Sequence, residues 1–255
     1  MPSLSEPFGG RRRPACPPLS RRSEMAVLSI SRQFGAGGRT LAERLALRLG
    51  YAYSDEELVC RLATLTGIDK EEVKNAGRES IGRSHGFVSG IISTGFFLRI
   101  LGRSSVETPE EKLATLLKQI IPEMADRGNI IFLGRGCQFI LPNSPDVIKI
   151  FLSAEEGDRI RFMMERYNLN LQQARKVVGE FKRYRDQFLS KFTSDPDDVS
   201  IYSLCINTSL VDLDNAEDLI CRLVEARERR KGMEALQTAQ DRSCSLSTGG
   251  MPCRL

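Results

Sequence analysis

The stretch Ala26-Val27-Leu28-Ser29-Ile30-Ser31-Arg32-Gln33-Phe34-Gly35-Ala36-Gly37-Gly38-Arg39-Thr40-Leu41 constrains the fold more than any other part of the chain. An apolar strand pattern, Ala26 to Ile30, runs into a glycine turn, and Leu41-Ala42-Glu43-Arg44-Leu45-Ala46 then opens a helical repeat. Gly35, Gly37 and Gly38 allow the backbone to turn and present its N–H groups. The first N–H groups of a helix have no partner within it, and its dipole is positive at that end, so an anion is favoured there. The stretch predicts a phosphate cradle built from Gly35, Ala36, Gly37, Gly38, Arg39 and Thr40.

The phosphate-loop pattern G-x-x-x-x-G-K-[ST] fits with its lysine missing. In one register Gln33 replaces the first glycine, Arg39 the lysine, and Thr40 keeps the metal-facing hydroxyl. Shifted by one, Gly38 stands at the lysine position with Arg39 after it, and spacing does not choose between the two. An arginine neutralises phosphate, but with a planar fork rather than a point charge. The same glycines would also serve a plain strand-to-helix turn.

At 255 residues the chain suits a single α/β domain of about 200 residues. Residues 1–24 are rich in Pro, Ser, Gly and Arg and are expected to form a disordered arm, residues 25–230 the domain, and residues 231–255 a disordered tail. The formal charge is +4, and the arm carries +3 of it, five arginines against two glutamates. A nearly neutral body argues against a broad nucleic-acid face. The arm has no apolar secretory core, and no run approaches the ~20 apolar residues of a membrane span. Seven cysteines without a C-x-x-C pair suggest a reducing, cytoplasmic setting. A single histidine, His85, argues against zinc and reads as a surface residue rather than a base.

Beyond the first helix, Gly50 is a stop signal, and Tyr51 to Asp55 reads as a second strand ending in an N-cap. Asp55 and Arg61 are candidates for the crevice at the carboxyl ends of the strands, where open α/β sheets bind ligands. Ile68 to Arg78 is expected to be helical, and Ser80 to Ser105 a partly helical insertion. Thr108-Pro109-Glu110-Glu111 starts a helix. Ile130 to Leu133 reads as a central strand ending in Gly134-Arg135-Gly136, which brings Arg135 to the same crevice as the glycine loop. Val147 to Leu152 is a further strand. Helices from Ser153 and from Asn170 carry Arg159, Arg161, Lys182, Arg183 and Arg185, a solvated face or a basic lid over polyphosphate. Leu204 to Thr208 gives the last strand and Asn215 to Glu228 a closing helix.

This order of elements resembles the nucleoside monophosphate kinases and, more narrowly, the cytidylate kinase-like family. The resemblance rests on Ser31 to Arg39, Leu133-Gly134-Arg135-Gly136, Val147 to Leu152 and Ile206-Asn207-Thr208, and covers about residues 25–228. It implies a P-loop NTPase-type three-layer α/β fold with a parallel five-stranded sheet, a helical insertion that binds the nucleoside monophosphate, and a basic lid. It also implies transfer of the γ-phosphoryl of ATP, with Mg²⁺, to an acceptor such as CMP. On that mapping Gly35 to Thr40 hold the donor phosphates, with Thr40 near the metal. Asp55, Arg61 and Arg135 bind the acceptor, and Arg39, Arg183 and Arg185 are the catalytic cations. The chain departs from the family pattern at the absent lysine and at Gly136, where an aspartate is usual. The expected partner is a small-molecule nucleotide, with oligomeric state left open. A noncatalytic nucleotide-binding module is the alternative. A dinucleotide-binding oxidoreductase fits less well, because the glycines miss the G-x-G-x-x-G spacing.

Overall fold

The structure, a computed structural model, describes residues 26–67 and 109–247. The arm, the segment 68–108 with His85 and the expected insertion, and residues 248–255 lie outside the described residues. The first half contains β1 (Val27–Arg32), α1 (Gly38–Leu49), β2 (Ala52–Tyr53), α2 (Asp55–Thr66), α3 (Pro109–Ala125) and β3 (Ile130–Leu133). Then follow α4 (Cys137–Ile140), β4 (Val147–Ser153), α5 (Glu156–Tyr167), α6 (Leu171–Leu189), β5 (Leu204–Asn207) and α7 (Leu213–Ser247).

The strands form one five-stranded sheet in the order β2-β3-β1-β4-β5, and every pairing is parallel. β1 lies at the centre, with Ile30 level with Leu133 on one side and Ile150 on the other. Leu28, Ile30, Ile131, Ile148 and Leu152 are sealed from solvent, as a parallel sheet covered on both faces requires. One face packs against α1 and α7 through Leu41, Leu45, Ile220 and Val224. The other packs against α2 and α3 through Leu58, Leu62, Leu117 and Ile121. Each such buried aliphatic contributes about 1.5–3 kcal/mol. The α/β fold is therefore three layers deep. A separate small core, Ile160, Met163, Ala174 and Val178, joins α5 to α6.

Several boundaries follow from local chemistry. Gly50 closes α1 at φ 69 with its N–H donated to the Ala46 carbonyl. Asn170 and Gln173 form a reciprocal capping box that starts α6. Asp55 is the first residue of α2 rather than its cap; Ser54 takes that place without a side-chain hydrogen bond. The tail needs a larger correction. α7 continues through Ser247 instead of closing at Glu228, and Lys231 reaches Asp146 beside β4, so residues 231–247 are helical rather than disordered.

Candidate functional site

The polar and charged groups that face one another gather at the carboxyl ends of β1, β3 and β4. There, a cavity of about 420 Å³ is lined by Ser31 to Phe34, Gly134, Arg135, Gln138, Phe151 and Arg159. The α6 residues Phe181, Lys182, Tyr184, Arg185 and Asp186, with Asp197 and Tyr202, also line it. Phe34 of the glycine loop stacks on Phe181 at 4.0 Å between ring centroids, so the basic helical pair rests on the loop.

The glycine loop is anchored by its neighbours. Gln33 donates its N–H to the Leu152 carbonyl at 2.8 Å and accepts the Ala154 N–H at its side-chain oxygen at 3.1 Å. Thr208 donates its hydroxyl to the Ala36 carbonyl at 3.2 Å. Gly35 backs onto Arg159, where a Cβ would lie 2.8 Å from the arginine Cβ. Gly37 is the left-handed N-cap of α1, and Gly38 its first residue. Half-buried Thr40 follows in the first turn. None of residues 35–40 is among the cavity's lining residues.

Side-chain directions separate the two registers that spacing left open. A Cβ on Gly38 would lie 2.9 Å from Arg32 Cγ, so a side chain at position 38 enters the space between loop and cavity. Arg39 instead lies along the outside of α1, donating from Nε to Glu43 Oε1 at 2.9 Å, with its side chain 47% exposed. The register with Gly38 at the lysine position is the one that geometry favours.

Asp55 and Arg135 do meet, with Nη2 to Oδ1 at 3.3 Å and both side chains largely buried. Arg135 holds φ +63 between two left-handed glycines, a conformation that a non-glycine residue adopts at a cost and that clusters at functional sites. Gly136 explains one departure from the family pattern, since a Cβ there would lie 2.8 Å from the Phe192 ring. Arg61 does not join this pair: it is held by Glu57 and Glu123, each at 3.1 Å. Arg185 lies over the Phe151 ring at 5.8 Å and is shared between Asp186 and Asp197. Arg183 is exposed and lines no part of the cavity, and Arg161 pairs with Asp158 on the outer face of α5. Arg159 is 8% exposed and donates to the Ala154 carbonyl, and burial lowers its pKa.

Sequence reasoning assigned no role to Arg32 or Gln138. Burial, helped by the neighbouring charge of Arg135, brings the Arg32 guanidinium down to about 10, so it stays charged at neutral pH. Gln138 is 1% exposed, and among the described residues neither atom of its amide, nor the Tyr184 hydroxyl, has a hydrogen-bond partner. Buried polar groups are ordinarily paired, so these lining atoms fit a polar ligand. One signal for Arg32 was present in the sequence: a glycine replaces the loop cation while an arginine closes the preceding strand.

The profile of the Cytidylate kinase-like family matches residues 27–210. The chain belongs to that family. A cytidylate kinase from Staphylothermus marinus is 30% identical over 105 residues, 40% of this chain and 58% of its own length. The chain thus matches little more than half of that curated relative. Among solved structures, an uncharacterized protein from Eubacterium ventriosum superposes with a TM-score of 0.51 at 19% identity, covering 80% of this chain and 99% of that one. The sheet order and the family together make this an α/β P-loop kinase fold.

Proposed function

We propose that this protein transfers the γ-phosphoryl group of ATP to a nucleoside monophosphate such as CMP. The observation that carries the reading is the convergence of Arg32, Arg135, Arg159 and Arg185 on one cavity beside the glycine loop. Phosphoryl transfer asks little covalent help of a protein; positioning and fixed positive charge supply most of the acceleration. All four line the cavity, and their fixed positive charge would favour a phosphate bridging the loop and the cavity. Aromatic walls and the Gln138 amide offer stacking and a donor–acceptor pair to a nucleobase.

The donor phosphates would rest on the main-chain amides at the start of α1, from Gly35 to Thr40. Mg²⁺ typically takes one or two protein oxygens and keeps the rest of its shell from phosphates and water. With Gly38 at the lysine position, Arg39 takes the place of the metal-facing hydroxyl and Thr40 falls one residue beyond it. Among the described residues no cluster of three acidic, histidine or cysteine side chains offers a dedicated cage, so the ion would be held chiefly by phosphate oxygens and water at the start of α1. Bound there, the ion would neutralise charge on the transferring phosphates. Among the described residues no helix is long and apolar enough to cross a membrane. Cys60, Cys137 and Cys205 form no disulfide, which fits the reducing, cytoplasmic setting of this reading.

Release of ADP from ATP, measured across a panel of nucleoside monophosphates, tests the reading. Turnover with CMP or a related monophosphate that falls sharply in Arg135→Ala supports it; no ADP above background with any acceptor removes it. The glycine at position 38 favours one second reading, a noncatalytic nucleotide-binding module acting through a partner. That reading predicts thermal stabilisation by ATP or CMP without turnover.

A further inference from the structure

We propose that Arg32 supplies the cation missing from the phosphate loop, its guanidinium contacting the phosphoryl group under transfer in place of a loop lysine. The inference rests on the kinase reading above and names the residue that makes it workable. Position 38 has a side-chain direction into the site but no side chain. Arg32 fills that space: its Cγ, Cβ and Cδ lie 2.9, 3.1 and 3.4 Å from where a Cβ on Gly38 would stand. At its far end the Nη1 atom occupies the place of a Cβ on Gly134, so any larger residue there would collide with it. Two glycines, one opening α1 and one ending β3, thus form a channel filled by a single arginine stem.

Among the described residues no hydrogen bond or ion pair to the Arg32 guanidinium is present. Arg135 is the charged group that acts on it most strongly, opposed more weakly by Tyr53 and Asp55. Two guanidinium groups held together in a half-enclosed space repel each other, which an anion between them would reverse. Arg32 also lines the cavity with Gln138, whose buried amide has no protein partner. An arginine so placed presents a bidentate fork to a phosphate, unlike a flexible loop lysine. The chain's departure at position 38 is then a relocation of charge rather than its loss.

The full-length chain carries the test, with calorimetric titration of inorganic tripolyphosphate and of ATP–Mg²⁺ beside steady-state ADP formation with CMP. Arg32→Ala is expected to weaken tripolyphosphate binding at least tenfold and to lower kcat by about 10² or more, as loss of an oriented transition-state charge does. Gly38→Lys alone is expected to be impaired, because its Cβ meets the Arg32 stem. On the Arg32→Ala background the Cγ is gone, and the transplanted lysine is expected to recover at least tenfold of either loss. A purely structural role for Arg32 would give no such rescue, and thermal melts identify any variant that fails to fold. Arg32→Lys, which keeps charge and stem, provides a second folded comparison with an intermediate effect. Parent-like tripolyphosphate binding by Arg32→Ala, or a larger loss in Arg39→Ala than in Arg32→Ala, would overturn the proposal. Arg32-dependent tripolyphosphate binding without any ADP release would support Arg32 as the loop's phosphate-binding cation and overturn its part in transfer together with the kinase reading. No tripolyphosphate binding by the parent would end both.

Discussion

Arg48 and Arg32 are the same residue type on neighbouring elements, and the protein treats them in opposite ways. Arg48 lies on the seam between α1 and α7, where Asp218 at 2.5 Å and Glu217 at 3.2 Å meet it, and Arg44 alongside is met by Asp214 at 2.5 Å and Glu217 at 2.6 Å. The hydrogen bond to Asp218 raises the Arg48 pKa, so the fold stabilises that cation. Burial and Arg135 lower the pKa of Arg32, so the fold penalises that one. Charge on the seam is spent on joining two helices. At the carboxyl ends of the strands Arg135 is met by Asp55 and Arg185 by Asp186 and Asp197, while Arg32 has no ion pair among the described residues, which suits the anion site proposed above.

The contrast breaks first if removing crevice charge does not matter. Arg135→Ala is expected to lower kcat/KM for the monophosphate by about 10²–10³ with the fold retained, read by steady-state kinetics and circular dichroism. Gly134→Ala comes next. It forces a Cβ into Arg32 at φ +68, and we expect a tenfold or greater fall in turnover with about 1–2 kcal/mol of lost stability in urea unfolding. On the seam the effects should reverse. Arg48→Ala is expected to cost about 1 kcal/mol of stability while kcat/KM stays within about twofold, because the arginine touches α7 and not the cavity. The smallest effect belongs to Glu57, on which burial is the largest single influence and acts upward, while the hydrogen bonds and charges of Arg127 and Arg61 together outweigh it and hold the carboxyl below its ordinary 4.5. Its contribution is present above that pH and fades as pH falls through the lowered value. Glu57→Gln should therefore cost a few tenths of a kcal/mol at neutral pH and flatten the acid limb of a stability–pH curve.

What the sequence disclosed divides along similar lines. The central strands were legible because Val27 to Ile30, Ile130 to Leu133 and Val147 to Leu152 are continuous apolar runs, which a doubly covered parallel sheet demands. The glycine loop and the Gly-Arg turn were legible because both stand directly after such runs. Arg61 misled because it lies six residues beyond Asp55 on the same helix, and six residues turn a helix to another face, toward Glu57 and Glu123. Arg183 misled likewise: in a helix dense with cations, spacing alone does not separate it from Arg185, which faces the cavity. Arg32 was hidden for a different reason. Its position depends on space left by Gly38 and by Gly134, far along the chain, and spacing does not show that long-range fit; the glycine in place of the loop cation, beside a strand-ending arginine, was its one local sign. The length of α7 was missed because its later turns lack apolar periodicity, although Lys231 finds Asp146.

A crystal structure of the chain with CMP and a non-hydrolysable ATP analogue tests the central claim most directly. The account predicts the triphosphate on the main-chain amides that open α1, with the Arg32 and Arg135 guanidinium groups within about 3 Å of phosphate oxygens. A triphosphate bound elsewhere, or an Arg32 side chain turned away from it with Arg39 in its place, would contradict the account.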